Sequence, residues 1–252
     1  MEKMEIGAGR ADHRGEGWNL ILPATLRGYA NAQIDDYHTL PRSRFLWSPP
    51  MRLTLRARVS SPAPRGTYGF GFWNDPFALT LGQSGAARRF PAAPHCLWFF
   101  YGAPPHDLAL VPDLDGWGWK AQVLRSPSIP GLVLLPTATA AMLLSRIPML
   151  RGPLVRTGRR AACISESHIQ AVATDWHSYT IDWRLNGAAF HIDGALILET
   201  RIAPKPPLGF VAWIDNQYAV VSPQKGIRFG VVPTDEEVRL ELCDLKIESL
   251  RG

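Results

Sequence analysis

Apolar and polar residues alternate along much of the chain, and that period of two predicts strands. It is clearest in Met51–Val59, where Met51, Leu53, Leu55, Ala57 and Val59 share one face and Arg52, Thr54, Arg56 and Arg58 the other. Residues 178–184 and 188–192 alternate in the same way and are joined by Leu185-Asn186-Gly187, where Asn-Gly supplies the positive φ of a tight turn. Asp193-Gly194 turns the chain again before residues 196–200, so a three-strand antiparallel meander is expected. Upstream, Ala30, Ala32 and Ile34 point to a core, with Tyr29, Asn31, Gln33 and Asp35 opposite. Downstream, Phe210, Ala212 and Ile214 oppose Val211, Trp213 and Asp215, and Val238, Leu240, Leu242, Leu245 and Ile247 mark a last core strand.

Two stretches break the pattern. Residues 1–17 are polar, without periodicity, and read as a flexible lead-in to a single domain over residues 18–252. Residues 127–155 are strongly apolar, but Pro130, Pro136, Arg146 and Pro148 interrupt them, so a membrane span of about 20 residues is not expected. Between the prolines one helix fits, from Thr137 to Arg146, carrying Ala138, Ala141 and Leu144 on adjoining turns. Three roles stay open for this insertion: a helix packed on the sheets, a lid over a ligand cleft, or a weak membrane-surface contact beside Arg151, Arg156, Arg159 and Arg160.

Composition narrows the class. The chain has 252 residues, 46% hydrophobic and 19% charged, which suits one all-β sandwich. The net charge of +5 comes without a nucleic-acid-binding motif, so the arginines read as a solvated basic surface. Cys96, Cys163 and Cys243 are odd in number and widely spaced, which fits neither a disulfide framework nor a structural zinc site. Asp113-x-Asp115-Gly lacks the further ligands of a calcium loop; no metal and no cofactor are expected. The N-terminus has no apolar signal region, so a cytoplasmic location is the expectation. Oligomeric state is left open.

The run Trp176-His177-x-Tyr179-x-Ile181-x-Trp183, followed by Phe190-x-Ile192-Asp193-Gly194, resembles the concanavalin A-like lectin/glucanase superfamily. It is most similar to glycoside hydrolase family 16, the laminarinase and lichenase group. That resemblance implies an antiparallel two-sheet β-sandwich of jelly-roll type, with a ligand groove across one sheet. Its retaining chemistry needs two glutamates on one strand, and the corresponding strand here is HCLWFFYG; no Glu occurs between Glu16 and Glu166. By position the resemblance places Trp73, Trp213, Asp215 and Asn216 at the groove, and Asn74, Asp75 and Tyr101 are further candidate contacts there; Trp117 and Trp119 alternate onto one strand face, which suits either an aromatic platform or the core.

Two functions follow. One is a binding domain for a carbohydrate or a partly apolar small molecule. The other is an enzyme, an atypical glycosidase or one of lyase, isomerase or cyclase type, with Asp75, His95 or Asp215 as relocated acid or base. A membrane-peripheral or structural role is the third alternative.

Overall fold

The computed structural model describes residues 1–76, 89–129 and 131–250. The first half of the chain gives strands β1 (Glu2–Ile6), β2 (Arg10–Arg14), β3 (Gly17–Leu22), β4 (Asn31–Asp35), β5 (Met51–Val59), β6 (Thr67–Trp73), β7 (His95–Gly102), β8 (Asp107–Leu108) and β9 (Gly118–Arg125). Helices α1 (Gly131–Leu144) and α2 (Pro148–Ala161) follow. The second half adds β10 (Cys163–His168), β11 (His177–Arg184), β12 (Gly187–Ile192), β13 (Ala195–Thr200), β14 (Gly209–Asp215), β15 (Gln217–Ser222), β16 (Gly226–Val231) and β17 (Val238–Ser249).

These strands form two antiparallel seven-stranded sheets, ordered β1-β4-β14-β6-β7-β9-β10 and β13-β12-β11-β5-β17-β3-β2. A small third sheet, β16-β15-β8, lies beside them. The main core lies between the large sheets. Ala32, Ile34, Phe70, Phe72, Leu97 and Phe99 from the first meet Leu53, Leu55, Ile181, Trp183, Phe190 and Leu240 from the second. The expected faces of β4, β5 and β14 are those observed. Along β17 the core positions change from even to odd numbers because the register slips between Cys243 and Lys246, with Asp244 at φ 55°.

Several local expectations are corrected. Residues 1–17 are not a loose lead-in: β1 pairs with β4 and β2 with β3, at the edges of the two sheets. Such polar edge strands bury little, Met4 and Ala11 here, and so leave almost no periodic signal. The first hairpin pairs Arg184 with Gly187, so its two loop residues are Leu185 and Asn186, and positive φ falls on Gly187. A Cβ there would lie 2.2 Å from the Thr200 carbonyl oxygen. Asp193 (φ 50°) and Gly194 (φ 81°) do form the left-handed pair of the next turn. The insertion folds into two helices instead of one, and Pro136 and Pro153 lie inside them. Each proline removes one ladder hydrogen bond, and the turns on both sides continue. Most of the Gly-rich loop after Pro76, residues 77–88, lies outside the described residues.

Candidate functional site

The outer face of the first sheet, turned away from the main core, carries a second hydrophobic cluster. It contains Tyr37, Phe45, Trp73, Phe100, Val211 and Trp213, with Trp98 packed against it. Strand alternation selects these residues: on β7 Leu97 and Phe99 go inward, so Cys96, Trp98 and Phe100 must go outward. The rings form a chain of neighbours. Tyr37 and Trp73 are 6.3 Å apart between centroids, Trp73 and Trp98 5.8 Å, Trp98 and Trp213 5.2 Å, and Trp213 and Phe100 5.8 Å. Trp98 is half-buried, whereas the other four are buried.

Glycines on β6 make room for this layer. A Cβ on Gly69 would meet the Trp213 ring at 2.7 Å, and one on Gly71 would meet Trp98 Cβ at 2.6 Å. The space a side chain would take at these two positions is thus occupied by the backbone of β7 and by the Trp213 and Trp98 side chains.

Towards β9 and β10 the aromatic surface becomes polar. Trp98, Gln122 and Glu166 are opposite one another in register on three adjacent strands. The indole N–H of Trp98 donates to Gln122 Oε1 at 2.7 Å, and Gln122 Nε2 donates to Glu166 Oε2 at 2.7 Å. Lys120 Nζ lies 3.5 Å from Glu166 Oε1, and both side chains are buried. His106 packs on Phe100 with centroids 5.1 Å apart. Its Nδ1 accepts from the Ala219 N–H at 3.2 Å, so the proton of the neutral ring resides on Nε2, which is buried and finds no partner among the described residues. Burial, reinforced by the Lys120 charge, holds its pKa down at about 4.

The residues expected at the groove are dispersed. Trp73 and Trp213 lie in the outer cluster, and Trp213 Nε1 donates to Thr67 Oγ1 at 3.0 Å. Asn74 brackets its neighbours, accepting from His95 N–H at 2.9 Å and donating to Ala93 O at 2.8 Å. Asp75 forms a buried ion pair with Arg89 at 2.8 Å. Asp215 accepts from Thr67 Oγ1 at 2.7 Å and from Gln217 N–H at 3.1 Å, and burial raises its pKa to about 6. Asn216 ties Ala30 N to the carbonyls of Gly28 and Val232. Tyr101 stacks on Tyr68 at 4.7 Å on the core side.

Trp117 and Trp119 do not form a platform. Trp119 is in the main core against Tyr68, whereas Trp117 precedes β9 and is exposed. Gly118, at φ +94°, separates them, so the simple alternation does not carry across.

Asp75, His95 and Asp215 do not share one cluster. Asp215 faces Thr67 in register, and Asp75 lies eight residues beyond Thr67, roughly 25 Å along an extended strand. His95 lines a recess of about 400 Å³ with Asn74, Ala93, Pro127 and Ser128. Burial, then the charges of Lys205 and Arg125, lower its pKa to about 4. Among the described residues no group of three or more His, Cys, Asp or Glu is placed to hold a metal ion.

Sequence reasoning passed over Lys120, Gln122, Glu166 and His106. A signal was present in GWKAQVLR, where Lys120 and Gln122 alternate with the inward Trp119, Ala121 and Val123. A polar pair on the far side of a buried strand needs partners, and Glu166 is the partner.

This architecture, a two-sheet antiparallel sandwich with an aromatic outer face, has likenesses among solved structures. No family model and no curated protein matches the chain. A glycoside hydrolase family 16 endo-glucanase from Bacteroides ovatus is 12% identical, with 95% of this chain and 84% of that chain covered and a TM-score of 0.45. The carbohydrate-binding module CBM66 from Bacillus subtilis is 8% identical, with 98% and 95% covered and a TM-score of 0.41. An immunostimulatory antigen and pseudo β-1,3-glucanase of Mycobacterium tuberculosis is 13% identical, with 92% and 75% covered and a TM-score of 0.40. At such identities and scores, none of them assigns a role to a residue of this chain.

Proposed function

We propose that the outer face of the first sheet binds a carbohydrate, or a small molecule with one apolar face, without retaining glucanase chemistry. The observation that carries this reading is the joining of the aromatic chain, through Trp98, to the Gln122–Glu166–Lys120 row. A flat apolar ring edge with a few fixed polar groups beside it is the composition of a ligand site. Trp98 offers the accessible ring, and the buried Gln122 amide and Glu166 carboxylate behind it hold that indole in place. Retaining hydrolysis needs two carboxyl groups about 5–5.5 Å apart. In the register row through Trp98, the carboxylate next along from Glu166 is Asp35, five strand spacings or roughly 24 Å away, and Glu2 on β1 is one strand further.

Thermal-shift titration with a panel of oligosaccharides and apolar metabolites tests this, because a ligand of the native state raises Tm. A sugar hit lost in Trp98→Ala supports the reading. A panel silent for both classes, or release of reducing ends from β-glucan at an ordinary enzymatic rate, overturns it.

The second reading, an enzyme with relocated acid and base groups, draws support from a different residue than the sequence suggested. His106 is neutral, buried and on the same outer side as Phe100 and Lys120, with an Nε2–H that no described group accepts. A substrate oxygen at that position would accept a hydrogen bond from the Nε2–H, so the neutral ring would act as a fixed electrophile that polarises the substrate. Activity abolished by His106→Asn, with the fold intact, would favour it.

A further inference from the structure

The two-helix insertion carries an apolar corner with a charge of one sign around it. Between Asp115 and Glu166 the chain has no acidic residue, but it has Lys120, Arg125 and five arginines from Arg146 to Arg160. α2 packs on β10, β15 and β16, and α1 packs on β16; Val155 is the buried side chain of α2. The corner is anchored, since Ile227 N–H donates to Ser145 Oγ at 3.2 Å and Arg151 Nε donates to Ser145 O at 2.9 Å. Around that fixed turn Leu143, Leu144, Ile147, Met149 and Leu150 stay exposed, Met149 to 86%. Arg146, Arg156 and Arg160 are exposed in the same segment.

We propose that this corner seats on the surface of an anionic lipid bilayer. Leu143, Ile147 and Met149 enter the boundary between headgroups and acyl chains, and Arg146, Arg156 and Arg160 face the phosphates. Exposed aliphatic side chains flanked by cations, with no carboxylate in the segment itself, are what an interfacial segment needs. Each helix has 14 residues and spans roughly 21 Å, short of the ~30 Å hydrocarbon core, so the pair lies on the membrane and does not cross it. The corner is aliphatic throughout, without the Tyr or Trp that anchors most protein interfaces.

Vesicle flotation of the whole chain tests the proposal, using phosphatidylcholine alone and phosphatidylcholine mixed with phosphatidylglycerol. Wild type should float with the mixed vesicles and much less with the neutral ones. Arg156→Gln with Arg160→Gln should weaken binding by about 25-fold, on the order of fivefold per arginine. Leu143→Glu with Met149→Glu should abolish binding while leaving Tm unchanged, because both positions are exposed. A Met149→Trp protein should show a blue-shifted emission on mixed vesicles. Failure of wild type to float with mixed vesicles overturns the proposal, as does flotation indifferent to Leu143→Glu with Met149→Glu. A concentration-dependent dimer abolished by Met149→Glu, without vesicle binding, would assign the face to a second copy of the chain instead.

Discussion

The indole N–H of Trp98 on β7 donates to Gln122 Oε1 on β9 at 2.7 Å, which fixes the orientation of that amide. Gln122 Nε2 is thereby left to donate to Glu166 on β10, so one aromatic ring orders a buried carboxylate two strands away. Three strands separated by helices and loops in the chain meet in one hydrogen-bonded row.

Gln122→Ala should destabilise the protein by about 1–3 kcal/mol, because Glu166 stays buried with one donor fewer. Glu166→Leu should cost more, on the order of 3–5 kcal/mol, since it leaves the Lys120 ammonium buried and unpaired. The double change Lys120→Met with Glu166→Leu should recover most of that loss. Urea unfolding of wild type, Lys120→Met, Glu166→Leu and the double change measures the cycle, and a double change as unstable as Glu166→Leu would contradict the pairing argument.

Trp98→Ala should reduce affinity for any ligand of the outer face by about tenfold, the scale of one aromatic contact. Trp119→Phe, in the main core, should leave affinity unchanged although it lowers Tm. Titration calorimetry with the best thermal-shift hit separates the two.

Gly69→Ala should destabilise by about 1–3 kcal/mol, as a Cβ there would stand 2.7 Å from the Trp213 ring and 2.4 Å from Phe99 O. The backbone oxygen cannot move aside, so the indole must. Near-ultraviolet circular dichroism should register the displaced ring, whereas Gly158→Ala, a helix position with open space at its Cβ, should leave that spectrum unchanged and raise stability by up to about 1 kcal/mol.

Opposite pH dependences are expected at two buried groups. The His106 pKa falls from 6.5 to about 4 on folding, so between those values the unfolded chain binds more protons and stability is lost as pH falls. The Asp215 pKa rises from 3.8 to about 6, so there the folded chain binds more protons and stability is lost as pH rises. Relative to wild type, Asp215→Asn should therefore be more favourable at pH near 7 than at pH near 4.5, and His106→Asn the reverse, each by on the order of 2 kcal/mol. Unfolding curves at the two pH values supply the test; slopes of the same sign would contradict it.

The amino-acid sequence by itself determined the period-two faces of β4, β5 and β14, the hairpin that turns at Asp193-Gly194, and the lack of glutamates on β7. Those features are local: a side chain's face follows from its parity, and a left-handed turn from Asp-Gly. Parity says which side a residue takes but not which strand stands beside it. Only the tertiary structure put Glu166, beyond two helices, next to Gln122, and sent Trp119 inward while Trp117 stayed exposed. It likewise ordered the first strands at the sheet edges and carried helices through Pro136 and Pro153. Register and edge pairing depend on hydrogen bonds between distant segments, and their energy is written into no single segment. The WH-x-Y-x-I-x-W hairpin therefore announces the sandwich, but the outer face that it helps to position is assembled from residues the hairpin does not contain.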